Sequence, residues 1–241
     1  MRYVGFSTGA IARGDFRHAL EVLSGLQASA IELSALRFTE LHPLVNCLDE
    51  LELSRYDYVS FHAPSKFTRS EEQDVISCLL RVRERGWPII VHPDSMHERQ
   101  AWRQLGQSLC FENMDKRKPI GRTIDELDTV FRDFPDAGLC FDLGHAHQVD
   151  RTMTEAVLIA QRYRGMVRQI HISEVNSRCE HVAISGVTEI AFATIVNLID
   201  NTVPVIIESV VAGDEIPEEL ARVKGLFDGS TPRFIAHDWV A

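Results

Sequence analysis

Short apolar runs rich in β-branched and aromatic residues alternate along the chain with longer stretches in which apolar positions recur at helical spacing. Eight runs predict strands, at 3–6, 29–33, 58–62, 88–92, 108–112, 138–142, 167–172 and 203–208. This rhythm is that of repeated βα units around a parallel sheet, and eight units predict a single closed (β/α)8 TIM barrel. Between the strands, Val75, Ile76, Leu79, Leu80 and Val82 form one helical stripe within 70–86. Ser70 with Gln73, and Thr123 with Glu126, fit capping boxes that open helices, and Gly86 supplies a stop. A doubly wound open sheet fits less well, because Gly5, Gly9 and Gly14 do not have the G-x-G-x-x-G spacing. No linker or low-complexity tract divides the chain, so 1–241 is expected to be one domain, with 228–241 an unassigned tail.

A chain of 241 residues is the length that such a barrel commonly uses, and 45% hydrophobic residues suffice for a large core. The 25 basic against 35 acidic residues give a formal charge of -10, which argues against a general nucleic-acid coating protein. No apolar run reaches the roughly 18 residues of a membrane span, and the first strand starts too near Met1 to leave room for a leader. Five cysteines (Cys47, Cys78, Cys110, Cys140 and Cys179), odd in number and without a C-x-x-C, fit reduced thiols in a cytoplasmic protein with no disulfide framework. Cys47 and Cys78 are expected to pack between helices, and Cys110 and Cys140 inside the barrel.

Chemistry enters at the strand ends. Six successive strands finish on His62, His92, Glu112, Asp142, His171 and Glu208, separated by 30, 20, 30, 29 and 37 residues, one βα unit per interval. Strand side chains alternate faces. The residues just before these six, Phe61, Val91, Phe111, Phe141, Ile170 and Ile207, are all large and apolar and suit the layer between sheet and helices. Those two before, Ser60, Ile90, Cys110, Cys140, Gln169 and Ile206, should share the interior with the six. Imidazoles and carboxylates crowded together suffer desolvation and mutual repulsion, which divalent cations relieve.

The pieces A-I-E-L (30–33), F-H-A-P (61–64), V-H-P (91–93), F-E-N (111–113), F-D-L-G-H (141–145), H-I-S-E (171–174), the isolated His181 and I-I-E-S (206–209) resemble, in order and placement, the xylose-isomerase-like barrel superfamily. The closer resemblance is to its endonuclease IV branch, over most of the chain. It implies two or three divalent metal ions, zinc first, with manganese or iron as alternatives. His62 and His92 would hold one ion, Glu112 would bridge to a second held by Asp142, His171 and Glu208, and His145 and His181 would hold a third. The branch pattern has an aspartate two residues before that last histidine, where this chain has Cys179.

Phosphoester hydrolysis is the activity this resemblance implies, with Glu112 and Glu208 as catalytic carboxylates. The substrate would be a small phosphorylated or sugar-like molecule, or abasic DNA. Lys66 and Arg69 after the third strand, and Lys116, Arg117 and Lys118 after the fifth, are candidates to bind its anionic group. The alternatives are sugar isomerisation or epimerisation, multinuclear iron oxidation, and a non-catalytic metal-binding barrel. His18, His42, His97 and His237 are expected to be surface or packing residues, His147 a residue supporting a ligand or substrate, and Asp94, Asp115 and Glu174 solvated.

Overall fold

A computed structural model describes residues 2–229, which place the strands and helices in regular alternation. Eight of the strands are β1 (Val4–Ser7), β2 (Ala30–Ser34), β3 (Tyr58–His62), β4 (Ile89–Val91), β5 (Leu109–Glu112), β6 (Gly138–Asp142), β7 (Val167–Ile172) and β10 (Val205–Ile207). All eight are parallel and close into a barrel in the order β1-β10-β7-β6-β5-β4-β3-β2. The hairpin of β8 (Glu174–Val175) and β9 (His181–Val182), which the apolar pattern does not announce, rises from the loop after β7.

Helices α1 (Thr8–Ala12), α2 (Phe16–Ser24), α3 (Phe38–Asn46), α4 (Glu72–Arg83), α5 (Arg99–Trp102) and α6 (Ile124–Asp133) lie in the first two thirds of the chain. They are followed by α7 (Leu143–Val149), α8 (Thr154–Arg162), α9 (Gly186–Ala193) and α10 (Ile216–Asp228). Asp228 ends α10 and Gly229 caps it; the rest of the tail, with His237, lies outside the described residues.

The expected alternation of faces is present. Phe61, Val91, Phe111, Phe141, Ile170 and Ile207 are fully buried in the layer between sheet and helices, where each phenylalanine contributes about 1.5 to 3 kcal/mol by leaving water. Ile90, Cys110 and Cys140 form a separate cluster inside the barrel. Between β6 and β7 the register shifts by one residue, so that Leu139 pairs with Val167 but Cys140 with Gln169. Arg168 is the extra residue and is exposed, while Gln169 and His171 point inward. Strands β1 and β2 approach so closely that a Cβ on Gly5 would lie 1.6 Å from the Ala30 carbonyl oxygen.

One helix start differs from expectation. Helix α4 begins at Glu72 without a side-chain cap from Ser70. The turn before it is held by Thr68 and Glu71, whose carboxylate accepts from the Thr68 amide at 2.6 Å and its hydroxyl at 2.9 Å. A T-x-x-E spacing two residues earlier outcompetes Ser70, whose hydroxyl turns to Thr68. Thr123 caps α6 as expected, and Gly86 follows α4 in the left-handed region.

Candidate metal centre

Strand ends bring the six candidate ligands to one mouth of the barrel. His62, Glu112 and Asp142 are the last residues of their strands, His171 is the penultimate residue of β7, and His92 and Glu208 directly follow β4 and β10. Glu112 is 1% exposed and stands at the centre. Its Oε2 lies 3.2 Å from His62 Nε2 and 3.1 Å from His92 Nε2, and its Oε1 lies 3.2 Å from His145 Nδ1 and 3.5 Å from His171 Nδ1. Donor atoms of His62, His92 and Glu112 fall within 4.8 Å of one another, and so do those of Glu112, Asp142, His171 and Glu208. Two candidate donor groups therefore share one carboxylate.

Local sequence explains the aim of two of these candidates, Asp142 and His62. In F-D-L-G-H, Asp142 caps α7 by accepting the His145 amide at Oδ1 (2.7 Å), while the buried Oδ2 faces His145 Nδ1 at 3.2 Å without forming a hydrogen bond. Gly144 is required there, since a Cβ would stand 2.4 Å from the Ser173 carbonyl oxygen. In F-E-N, the Asn113 amide clasps both backbone groups of Asp142, at 2.7 and 2.8 Å, and so fixes β5 to β6 at the site. His62 Nδ1 donates to the Ala63 carbonyl at 2.9 Å, so Nε2 is the nitrogen turned toward Glu112.

His171 is oriented by a residue that the strand-end pattern misses. Glu32 is fully buried on β2 and accepts from His171 Nε2 at 2.9 Å and from Gln169 Nε2 at 2.6 Å. Tyr58 donates to Gln169 Oε1 at 2.8 Å, which fixes the amide orientation. With Nε2 engaged, His171 Nδ1 faces Glu112 and Glu208 at 3.5 Å and has no hydrogen-bond partner. Orphaned Asp142 Oδ2 and His171 Nδ1, in a group of mixed imidazole and carboxylate donors, are what a divalent cation would satisfy.

No family model and no curated protein matches the chain. Solved structures do. The protein is similar to a xylose isomerase domain protein from Alicyclobacillus acidocaldarius, with TM-score 0.70 at 14% identity over 96% of this chain and 100% of that one. It is similar to endonuclease IV from Thermus thermophilus, with TM-score 0.58 at 17% identity over 94% and 99% of the two chains. A third similar structure is an IOLI protein with a zinc atom, with TM-score 0.57 at 10% identity over 98% and 100%. The closed eight-stranded βα barrel is the fold the protein shares with them.

Within this barrel, proton equilibria in the absence of metal record the crowding. Burial pushes Asp142 up, and the charges of Glu112 and Glu208 add to this against His145, taking it to about 8. Burial alone would depress His62 and His145, but their carboxylate neighbours outweigh it and raise them to about 9 and about 10. His181 is lowered to about 3 by burial and by the nearby His145. Glu112 is held well below the usual range despite burial, by His92 and His171.

The pair foreseen for a third ion is less complete. His145 and His181 stack edge to face with centroids 5.3 Å apart, but His145 Nδ1 is turned to Glu112, Asp142 and the Asn113 carbonyl. His181 Nδ1 meets Ser173 Oγ at 2.8 Å and Glu208 at 3.6 Å. Cys179 is buried and accepts from Gln148 Nε2 at 3.0 Å. Among the described residues, no group of three donors contains both His145 and His181.

Above the ligands opens a cleft of about 700 Å³. Lys66, Arg117 and Lys118 line it, joined by Arg13 and Arg37, which sequence reasoning did not single out. Arg69 and Lys116 do not line it. Arg69 turns away to Glu98 at 2.7 Å, and Lys116 is exposed on its turn, its amide facing Gln148 Oε1 of α7 at 3.4 Å.

Several residues expected in solvent are engaged. Asp115 is buried and holds Arg117 through two oxygens, Asp94 pairs with Lys118 at 2.8 Å, and Glu174 accepts from Ser185 and Thr188. His147 packs edge-on to Phe192 and is not among the cleft-lining residues. No helix among the described residues is long and apolar enough to cross a membrane.

Proposed function

We propose that the protein is a divalent-metal-dependent phosphoester hydrolase acting on a small phosphorylated molecule. The observation that carries this reading is the divided carboxylate of Glu112, with histidines facing both oxygens at 3.1 to 3.5 Å. A barrel that uses one ion needs only the Glu112, Asp142, His171 and Glu208 group; His62 and His92 supply a second. Ions held by these two groups would supply activation of water and stabilisation of charge on the phosphoryl oxygens.

The chain's own contributions follow from its geometry. Glu112 would bridge, and Asp142 Oδ2 and His171 Nδ1 would complete one site, with His62 and His92 completing the other. Glu208, at the edge of the cleft with Oε2 3.6 Å from His181 Nδ1, would take a proton from the nucleophile and relay it outward. Arg13, Arg37, Lys66, Arg117 and Lys118 on the rim would attract phosphate despite the acidic whole. A net charge of -10 favours a small phosphorylated substrate over abasic DNA. Zinc suits this donor set first, with manganese or iron as alternatives.

One observation favours a second reading, sugar isomerisation or epimerisation. The four-residue group is complete by itself, and several similar solved structures are described as sugar phosphate isomerase/epimerases. In that reading Glu112 and Glu208 would handle proton transfer at carbon. Turnover in labelled solvent separates the two. Oxygen-18 from water entering released phosphate is the expected result; solvent hydrogen at carbon without phosphate release would replace hydrolysis by isomerisation.

A further inference from the structure

Away from the barrel mouth, on the outer layer where α3 packs beside α4, His42, Asp74 and Cys78 meet. Asp74 and Cys78 are four residues apart on α4 and so share one face of that helix, while His42 reaches them from α3. His42 Nε2 lies 2.7 Å from Asp74 Oδ2, and Cys78 Sγ lies 3.6 and 3.9 Å from the two ring nitrogens. Phe38, one turn earlier on α3, sets the imidazole edge to face at 5.9 Å between centroids. Donor atoms of all three residues fall within 4.8 Å of one another.

We propose that His42, Asp74 and Cys78 form a second metal site, which takes a thiophilic divalent ion such as zinc and clamps α3 to α4. Imidazole, carboxylate and thiolate are all zinc donors, and ligands bound at about 2.0 to 2.3 Å around a tetrahedral ion stand roughly 3.3 to 3.6 Å apart. The sulfur contacts already match this spacing to within a small side-chain rotation. The His42 to Asp74 contact would open by rotation of a carboxylate that is 48% exposed. Entry is from solvent along His42 and Asp74, while the 3% exposed Cys78 forms the floor. On binding, the Cys78 sulfur loses its proton to solvent as the sulfur–metal bond forms. One thiolate and one carboxylate then balance the two charges of the ion, and a fourth position stays open to water.

Cobalt(II) titration of the full chain tests this site apart from the barrel mouth. The ligands proposed at the mouth are imidazoles and carboxylates, so a thiolate-to-cobalt charge-transfer band in the near ultraviolet reports a cysteine. The expected result is a band present in the unmodified protein, in Glu112→Gln and in Cys179→Ser, absent in Cys78→Ser, and needing at least tenfold more cobalt in His42→Ala. His42 is partly exposed, so its variant carries the test if Cys78→Ser does not fold. No band in the unmodified protein, or a band that survives Cys78→Ser or is unmoved by His42→Ala, overturns the proposal.

Discussion

The floor of the cleft and its rim both carry histidines, yet only at the floor do these meet other donors in groups of three or more. The proposed floor ligands sit at strand ends, whose positions are set by barrel register and whose aim is fixed by buried partners such as Glu32 and Asn113. At the rim, His181 comes from a two-residue strand of a hairpin, its side chain is 26% exposed, and the residue two before it is Cys179. A rigid layer of strands can hold several donors in register, whereas a loop must supply its ligand by its own local geometry.

The largest expected break in this contrast is Glu112→Gln, which keeps the shape and removes the shared charge. Both floor sites should weaken together, with metal content falling below two per chain and turnover dropping by roughly 10²- to 10³-fold or more. Elemental analysis beside a phosphatase assay reads both. Glu32→Gln comes next, because it leaves all proposed ligands in place and removes only the anion that orients His171. Zinc affinity should fall by about 10- to 100-fold, measured by calorimetric titration with folding checked by circular dichroism.

Proton competition gives a smaller, graded effect. His62 is raised to about 9 in the metal-free protein, so at neutral pH its Nε2 holds a proton that an ion there must displace, and His145, raised to about 10, holds one that the ion's charge disfavours. Raising the pH toward those values should therefore strengthen zinc binding, by about tenfold per pH unit for each proton displaced. Calorimetry in buffers of different ionisation enthalpy counts the protons, and binding that is flat with pH would contradict the arrangement. The smallest effect is expected of His181→Ala, with floor metal content unchanged and zinc affinity there within about twofold. The converse variant sharpens the contrast: Cys179 has φ of 60°, a conformation that Asp tolerates, so Cys179→Asp should add an ion at the rim.

Much of the floor was legible in the sequence because a parallel barrel writes each strand as an apolar run and places its last inward residue at the mouth. His62, Glu112 and Asp142 follow directly from that rule. Glu32 does not, because its partner His171 lies 139 residues later and it sits within a strand, short of the mouth. A carboxylate inside the apolar run A-I-E-L, on a strand buried along its length, is the signal that could have marked it. Arg13 and Arg37 reach the cleft through loop geometry that periodicity does not encode, and Arg69 leaves it for Glu98 for the same reason. His42 and Cys78, each ordinary in its own helix, acquire chemistry only where α3 meets α4.

The shared carboxylate is most directly tested by an anomalous-scattering map of protein purified without added metal, with elemental analysis of the same sample. The account predicts two ions at the barrel mouth, about 3.5 to 4 Å apart, with one Glu112 oxygen on each. A single ion held by Glu112, Asp142, His171 and Glu208, with His62 and His92 free of metal, would contradict it.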